Sequence, residues 1–185
     1  MARVLVPLAE GCEELEAVTI IDLLRRAGVE VVTAGLQQGP VKCSRGTVIL
    51  PDTTLEAALG EEFDMIALPG GGPGADKLDS DERVLRLLRE MAGKGKYTAA
   101  ICAAPKVLAR SGVLGGHRAT GFPGVLEGLQ VSDIRIVGEP VVQDGMVITS
   151  RGPGTAMDFA LTLIEVLAGQ DTRNTVEGAL QRPSR

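Results

Sequence analysis

The chain has 185 residues, of which 44% are hydrophobic and 2% aromatic, with a formal net charge of -5. This length and apolar content suit one domain that buries about two-thirds of its unfolded surface in a core of aliphatic side chains. The mildly acidic charge and the scattered Lys and Arg argue against a nucleic acid or an anionic membrane surface as a partner.

The cysteines and the N-terminus indicate a reducing compartment. Cys12, Cys43 and Cys102 are odd in number and widely spaced, so a disulfide framework is not expected, and Cys12 and Cys43 are interpreted as structural or incidental thiols. The single histidine, His117, removes the usual Cys/His zinc patterns. No segment reads as a signal peptide or a membrane span. The sequence therefore predicts a soluble cytoplasmic protein in a reducing compartment.

Apolar runs and turn residues predict strands that alternate with helices along most of the chain. This alternation indicates βαβ units, and therefore a mostly parallel sheet with helices on both faces. The predicted strands are Arg3–Leu8, Val29–Leu36, Thr47–Leu50, Met65–Leu68 and the strand that leads to Cys102. The predicted helices are one that ends at about Ala27, a short one over Leu55–Leu59 and one over Asp81–Gly93. The first of these helices has an apolar stripe of Leu15, Val18, Ile20, Ile21, Leu23 and Leu24.

The last third of the chain differs in pattern. The segments Ile134–Val137 and Val141–Thr149 are predicted to add antiparallel strands, with a hairpin turn at Asp144-Gly145. A helix over Ala156–Ala168 follows, and the tail ends in a short helix at most. There is no repeat, low-complexity segment or linker, so residues 1–185 are predicted to form a single domain.

The stretch around Cys102 carries the strongest chemical signal. Small and apolar residues from Ala99 lead into the cysteine, and a helix-forming segment follows at once. This pattern is the cysteine counterpart of the nucleophile elbow, in which a sharp turn presents a reactive side chain. A helix that starts near Pro105 directs its positive end at the sulfur and favours the reactive thiolate. The alternative is a buried cysteine that packs as a small hydrophobe.

Two further strand ends offer partners for Cys102, because ligands in such sheets bind beyond the carboxyl ends of the strands. In the glycine loop Pro69–Gly74, the Gly71 N–H is predicted to face an oxyanion beside the Ala103 N–H, although a simple tight turn remains open. Apolar neighbours favour an inward Glu16 with a raised pKa. The simpler alternative is a solvated acidic first turn of the helix.

Six motifs in a fixed order carry a resemblance to a known family. They are Glu13–Val18, Leu24–Gly28, Cys43–Arg45, Leu68–Gly71, Ala99–Pro105 and Thr149–Thr155. Together they resemble the DJ-1/ThiJ/PfpI superfamily over nearly the whole chain, and most closely its DJ-1-like branch with the bacterial YajL-type proteins. The resemblance implies an α/β flavodoxin-like three-layer sandwich, with a cysteine nucleophile elbow, that forms a homodimer.

The resemblance also implies roles for particular residues. It makes Cys102 the nucleophile and Glu16 a protonated acid that is hydrogen-bonded to it. It assigns the N–H groups of Gly71 and Ala103 to the oxyanion site, and it places Arg45 and Arg26 near the site and the dimer interface. No cofactor is implied.

The activity implied is that of a cofactor-independent glyoxalase or protein deglycase acting on methylglyoxal, glyoxal or their early adducts, including glycated proteins. The alternative is a non-enzymatic redox sensor or chaperone whose cysteine is oxidised to sulfinate. Many members carry a histidine where this chain has Phe122, which removes a base and disfavours fast glyoxalase turnover. A class I glutaminase subunit is disfavoured because no His-x-Glu partner follows in the C-terminal third.

Overall fold

A seven-stranded sheet forms the centre of the molecule, with the strands in the spatial order β10-β11-β7-β6-β1-β2-β5. The structure, a computed structural model, describes residues 1–129 and 133–183. Within this sheet only β10 runs antiparallel to its neighbour, and every other adjacent pair is parallel. The predicted mostly parallel α/β sheet is therefore confirmed.

The elements alternate along the chain as the βαβ pattern requires. The strands are β1 (Arg3–Leu8), β2 (Glu30–Gly35), β3 (Val41–Lys42), β4 (Val48–Ile49), β5 (Thr53–Thr54), β6 (Met65–Leu68), β7 (Tyr97–Ile101), β8 (Arg118–Ala119), β9 (Arg135–Ile136), β10 (Val141–Asp144) and β11 (Val147–Ser150). The helices are α1 (Glu14–Arg26), α2 (Leu55–Ala58), α3 (Gly72–Asp79), α4 (Glu82–Gly93), α5 (Pro105–Arg110), α6 (Ala156–Ala168) and α7 (Gln170–Ala179).

Helices cover both faces of the sheet and bury it. Apolar side chains of α1, α6 and α7, such as Ile20 and Phe159, form one core cluster against the sheet. Side chains of α2 to α5, such as Leu55 and Leu88, form a second cluster on the opposite face. All four residues of β6 are buried, as expected of a strand covered on both faces. The result is the predicted three-layer sandwich.

The helix α1 differs from its predicted apolar stripe. Leu15 and Val18 are 50% and 48% exposed, whereas Glu16 and Ile20 are fully buried. The prediction that Leu15 and Val18 face the core is therefore wrong. The reason is geometric, since the side of α1 that meets the sheet carries Glu16 and turns these two apolar side chains outward.

The segment Ile134–Val137 does not add an antiparallel strand, as was predicted. Its central residues form β9, which pairs parallel with β8 in a separate two-stranded sheet. The Arg135 N–H donates to the His117 carbonyl and the Val137 N–H to the Ala119 carbonyl, and these bonds hold the segment away from the main sheet. The predicted hairpin is present, but its second strand, β11, is parallel to β7.

The glycine-rich loop after β6 is shorter than its composition predicted. Helix α3 begins at Gly72, so the prediction of loop structure from Pro69 to Gly74 is wrong for its second half. Pro73 is compatible with this helix because a first-turn residue needs no N–H donor. The strand β3 was also missed, and the tail helix α7 extends over Gln170–Ala179.

The predicted single domain covers residues 1–185. Of these, residues 130–132 and 184–185 lie outside the residues that the structure describes. Among the helices that are described, none combines the length and the apolar character needed to cross a membrane.

Candidate active site

The candidate site forms where two neighbouring strands end at the same edge of the sheet. The parallel register of β6 and β7 pairs Leu68 with Ala100, so the glycine loop and Cys102 follow side by side. Strand β1 pairs with β6 on its other side, and the chain leaving β1 enters α1. Three chain segments predicted to converge from their positions in the sequence therefore do so.

Cys102 occupies a strained turn between β7 and α5. Its φ is +65°, a left-handed value that a non-glycine residue rarely adopts. Among the described non-glycine residues, only Gln181 also has a positive φ. The backbone is held on both sides, since the Cys102 N–H donates to the Ser150 carbonyl at 2.9 Å and its carbonyl accepts from the Phe122 N–H at 2.8 Å. Such strain persists only where the surroundings fix it. The predicted nucleophile elbow is therefore present.

Two backbone N–H groups act on the thiol of this cysteine. Those of Gly71 and Ala103 lower its pKa, against the effect of burial. Gly71 has a φ of +86°, and a Cβ there would lie 2.5 Å from the Glu13 nitrogen and the Gly11 carbonyl oxygen. Only glycine permits both this conformation and this close approach. Both residues adjoin the Cys102 turn, and their role as oxyanion donors stays a prediction.

Glu16 lies beside the same sulfur, inside the protein. The residue has no exposed surface, and its Oε2 accepts the Gly70 N–H at 2.8 Å. The other oxygen, Oε1, is buried without a hydrogen-bond partner among the described residues. A Cβ at Gly70 would lie 2.6 Å from both Cys102 Cβ and Glu16 Oε2, so the two side chains pack on the same glycine. The inward orientation predicted for Glu16 is therefore observed.

Burial dominates the acid–base properties of this pair. It raises the pKa of Glu16 to about 7, against the lowering effect of the Gly70 N–H and of Cys102. Burial, and then the charge of ionised Glu16, raise the pKa of Cys102 to about 12, although the Gly71 and Ala103 N–H groups oppose the rise. This direction is opposite to the effect expected of the helix field, which favours thiolate. The helix α5 has six residues and begins at Pro105, three positions after Cys102.

The two arginines of the predicted site lie elsewhere in this chain. Arg26 pairs with Asp22 at 2.7 Å, and it is ten residues beyond Glu16 on α1, which corresponds to about 15 Å along the helix axis. Arg45 follows β3, where its N–H donates to the Glu14 carboxylate. In the part of the chain that the structure describes, neither arginine forms a hydrogen bond or ion pair with Cys102 or Glu16. Their roles stay predictions.

Sequence reasoning missed two residues that hold the site together. The Gly70 N–H anchors Glu16, and the Ser150 carbonyl anchors the backbone of Cys102. Both positions lie within motifs noted in the sequence, but backbone donors and acceptors leave no signal of their own.

His117 faces Asp144 at 3.5 Å. No group of three or more His, Cys, Asp or Glu side chains in residues 1–129 and 133–183 is placed to hold a metal ion.

Together, this sheet order and this cysteine turn define a class, the flavodoxin-like α/β proteins that present a reactive cysteine on a strand–helix elbow. The comparison with family models narrows the class further. The model of the DJ-1/PfpI family matches residues 2–166. The chain therefore belongs to the DJ-1/PfpI family, as its six motifs predicted.

Individual relatives agree with this assignment over nearly their full lengths. The chain is 46% identical to protein dj-1beta of Drosophila melanogaster over 168 residues, which is 90% of each sequence. The crystal structure of that Drosophila protein matches with a TM-score of 0.95 and 44% identity over 99% of each chain. A Caenorhabditis elegans relative named glutathione-independent glyoxalase DJR-1.2 is 37% identical over 175 residues, covering 95% of this chain and 92% of the relative.

Proposed function

We propose that the protein is a glyoxalase- or deglycase-type stress enzyme that uses Cys102 to act on methylglyoxal, glyoxal and their early adducts on proteins. The observation that carries this proposal is the packing of the buried Glu16 carboxyl group and the strained Cys102 turn against the same glycine, Gly70. That combination suits attack on a carbonyl carbon, where negative charge develops on oxygen. A relative named glutathione-independent glyoxalase supports the substrate class.

The first step joins the sulfur to the aldehyde carbon. As the C–S bond forms, the carbonyl electrons move to the oxygen, and the thiol proton passes by way of Glu16 to that oxygen. The Gly71 and Ala103 N–H groups, which already favour negative charge on the sulfur, stabilise the oxyanion before it is protonated. The product is a neutral hemithioacetal, and Glu16 is again ionised.

Glu16 then moves a proton between the two carbons of the substrate. Its raised pKa of about 7 keeps both protonation states populated near neutral pH, which is the condition for efficient acid–base catalysis. Removal of the proton from the first carbon and its return to the second converts the hemithioacetal into a thioester. Water hydrolyses the thioester to lactate or glycolate and restores the thiol. The net change is addition of one water to the dicarbonyl, with no oxidant or reductant consumed.

The test is methylglyoxal consumption by reduced protein, with lactate quantified by chromatography. We expect Cys102→Ala to abolish lactate formation and Glu16→Gln to slow it by about 10²–10⁴-fold, since general acid–base groups contribute on this order. Cys43→Ala, another buried thiol, and Glu90→Gln, an exposed carboxylate, serve as matched controls that keep the rate. Equal rates in Cys102→Ala and wild type contradict the proposal.

A second function, a redox sensor or chaperone, rests on the same donors. Peroxide converts a reactive cysteine first to sulfenic and then to sulfinic acid. The N–H groups of Gly71 and Ala103, together with a protonated Glu16, would donate to the sulfinate oxygens. This function is favoured if methylglyoxal is lost only stoichiometrically without lactate, and if Glu16→Gln changes the oxidation product while the protein still suppresses aggregation of a client.

The assembly and location proposed are a homodimer in the cytoplasm. Leu15 and Val18 on α1, with Val48 and Leu50 in and after β4, are each about half exposed or more, and we term these four residues the apolar patch. Val18 and Leu50 line the same shallow groove. A cluster of this kind suits burial against a second copy of the chain. The three free cysteines are typical of proteins in reducing compartments.

A further inference from the structure

Two cysteines that the proposed mechanism does not use lie in direct contact. Cys12 and Cys43 are separated by 31 positions in the sequence, yet their Sγ atoms are 3.6 Å apart and each can donate to the other. Both residues are buried and both are free thiols. The sequence offered no reason to pair them, because their spacing matches no disulfide or metal-binding pattern.

The backbone fixes this contact. The Gly11 N–H donates to the Lys42 carbonyl and the Ser44 N–H donates to the Cys12 carbonyl, each at 2.8 Å. These two bonds flank Cys43 and hold its chain segment directly alongside Cys12. The Cys43 N–H is in turn bonded to the Thr47 carbonyl at 2.8 Å, across the turn between β3 and β4. The two sulfurs are therefore neighbours because of main-chain pairing and not through side-chain packing alone.

We propose that Cys12 and Cys43 form a dithiol–disulfide redox centre, separate from Cys102, that hydroperoxides oxidise to an intramolecular disulfide. A disulfide bond is about 2.05 Å long, so closure requires the sulfurs to approach by roughly 1.5 Å. The proposal assigns this movement to rotation of the two side chains, with the paired backbone held in place. The proposal does not depend on the dicarbonyl activity.

The chemistry takes two steps, and it balances with hydrogen peroxide as the oxidant. The Cys43 sulfur first attacks one peroxide oxygen, the O–O bond breaks, water leaves, and Cys43 becomes a sulfenic acid. The Cys12 sulfur then attacks the Cys43 sulfur, the S–S bond forms, the S–O bond breaks, and a second water leaves. Two thiols lose two electrons and two protons to one peroxide. The second step is fast because its partners are already in contact.

The order of attack follows from the surroundings of each sulfur. Burial raises the pKa of both thiols, but a hydrogen bond from Cys12 opposes the rise for Cys43, whereas Cys43 adds to the rise for Cys12. Cys43 is also 4% exposed and Cys12 not at all. Cys43 is therefore the thiol that peroxide reaches first, and Cys12 resolves the sulfenic acid.

The experiment uses the full-length Cys102→Ala variant, which keeps both thiols of the pair and removes the competing one. Reduced protein is exposed to excess hydrogen peroxide, denatured, alkylated with N-ethylmaleimide and analysed by intact-mass and peptide mass spectrometry. We expect the number of alkylated thiols to fall from two to none, with a mass loss of two hydrogens, a cross-linked Cys12–Cys43 peptide, and full reversal by dithiothreitol.

Two further variants serve as controls, Cys12→Ala and Cys43→Ala, each in the Cys102→Ala background and each checked for native circular dichroism. Neither can lose two hydrogens within one chain. Without Cys12, Cys43 should accumulate oxygen adducts, and without Cys43, Cys12 should stay reduced for longer. The proposal is overturned if both thiols of the parent variant remain alkylatable after peroxide has fully oxidised Cys102 in wild type. It is equally overturned if oxidation yields only oxygen adducts or disulfides between chains.

Discussion

A single buried carboxyl group, that of Glu16, sets the chemistry of the candidate site. One of its oxygens is anchored by the Gly70 N–H, and the other faces no hydrogen-bond partner among the described residues. Burial places its pKa at about 7, where it can both accept and donate a proton. Burial and the charge of this neighbour also raise the pKa of the Cys102 thiol.

The raised pKa of Glu16 makes stability depend on pH in a definite direction. The folded state holds this proton up to a pH of about 7, whereas the unfolded chain loses it near 4.5. The resulting stabilisation is complete below pH 4.5 and is lost as the pH rises through 7. Between pH 5 and pH 8, we expect wild type to lose about 2–3 kcal/mol of unfolding free energy relative to Glu16→Gln.

Urea denaturation of both proteins at several pH values measures this difference. Glu90→Gln provides the control for a general effect of removing a carboxylate, because Glu90 is exposed on α4. If the curves of wild type and Glu16→Gln stay parallel from pH 5 to 8, Glu16 is not a protonated acid in the folded protein.

At the residue scale, the sequence predicted where the site residues lie better than it predicted their pKa values. The apolar neighbours of Glu16 indicated its inward orientation, and the small residues before Cys102 indicated the turn. The raised pKa of the thiol was not predictable in the same way. It depends on how deeply the sulfur is buried and on its closeness to Glu16, which only the packed structure determines.

At the scale of elements, the site depends on a close approach between the glycine loop and the chain that leads into α1. The Glu13 N–H donates to the Gly70 carbonyl at 2.9 Å, and Gly71 adopts its left-handed conformation directly against this segment. This approach fixes the conformation of the loop that packs against Cys102 at Gly70. A side chain at Gly71 would separate the two segments.

Gly71 and its neighbour Gly72 therefore form a matched pair for mutation. A Cβ at Gly71 would lie 2.5 Å from backbone atoms, whereas a Cβ at Gly72 would have no atom within 4 Å. We expect Gly71→Ala to destabilise the protein by about 2–4 kcal/mol and to abolish lactate formation. Gly72→Ala should change stability by less than about 1 kcal/mol, because its φ lies in the ordinary range. Urea denaturation of the two variants checks this, and equal losses in both would contradict the close approach.

Among the elements, the longer strands of the main sheet were predictable, whereas its two-residue edge strand β5 and the short elements outside the sheet were not. The strands β1 and β6 have continuous apolar sequences that leave little choice. The helix α3 was missed because its first turn, with Gly72, Pro73 and Gly74, has the composition of a loop. The pairing of β8 with β9 was missed because two-residue strands have no periodicity, and hydrogen bonds to His117 and Ala119 determine it.

At the scale of the whole molecule, the exposed apolar patch is the feature that the folded chain does not itself explain. Its members come from α1 and from the segment that includes β4, and Leu50 is 75% exposed. Apolar side chains that cluster in this way are buried in the assembled state of many proteins. The proposed homodimer would bury them.

A charge in this patch should dissociate the dimer. We expect Leu50→Glu to raise the dissociation constant by on the order of 100-fold or more, because it places a charge in an apolar contact. Met146→Glu, at an exposed position in the turn between β10 and β11, is the control that keeps the dimer. Sedimentation velocity over a range of concentrations measures both, and a dimer that survives Leu50→Glu unchanged would place the interface elsewhere.

The proposed enzymatic function requires that Cys102 releases its product and acts again. The most direct measurement is the amount of lactate formed per mole of reduced protein from excess methylglyoxal, determined in parallel for wild type and Cys102→Ala. We expect wild type to form many equivalents of lactate and the variant to form none. A wild type that stops at one equivalent of methylglyoxal consumed, with no lactate released, would show that the thiol only traps the aldehyde and would contradict the enzymatic function.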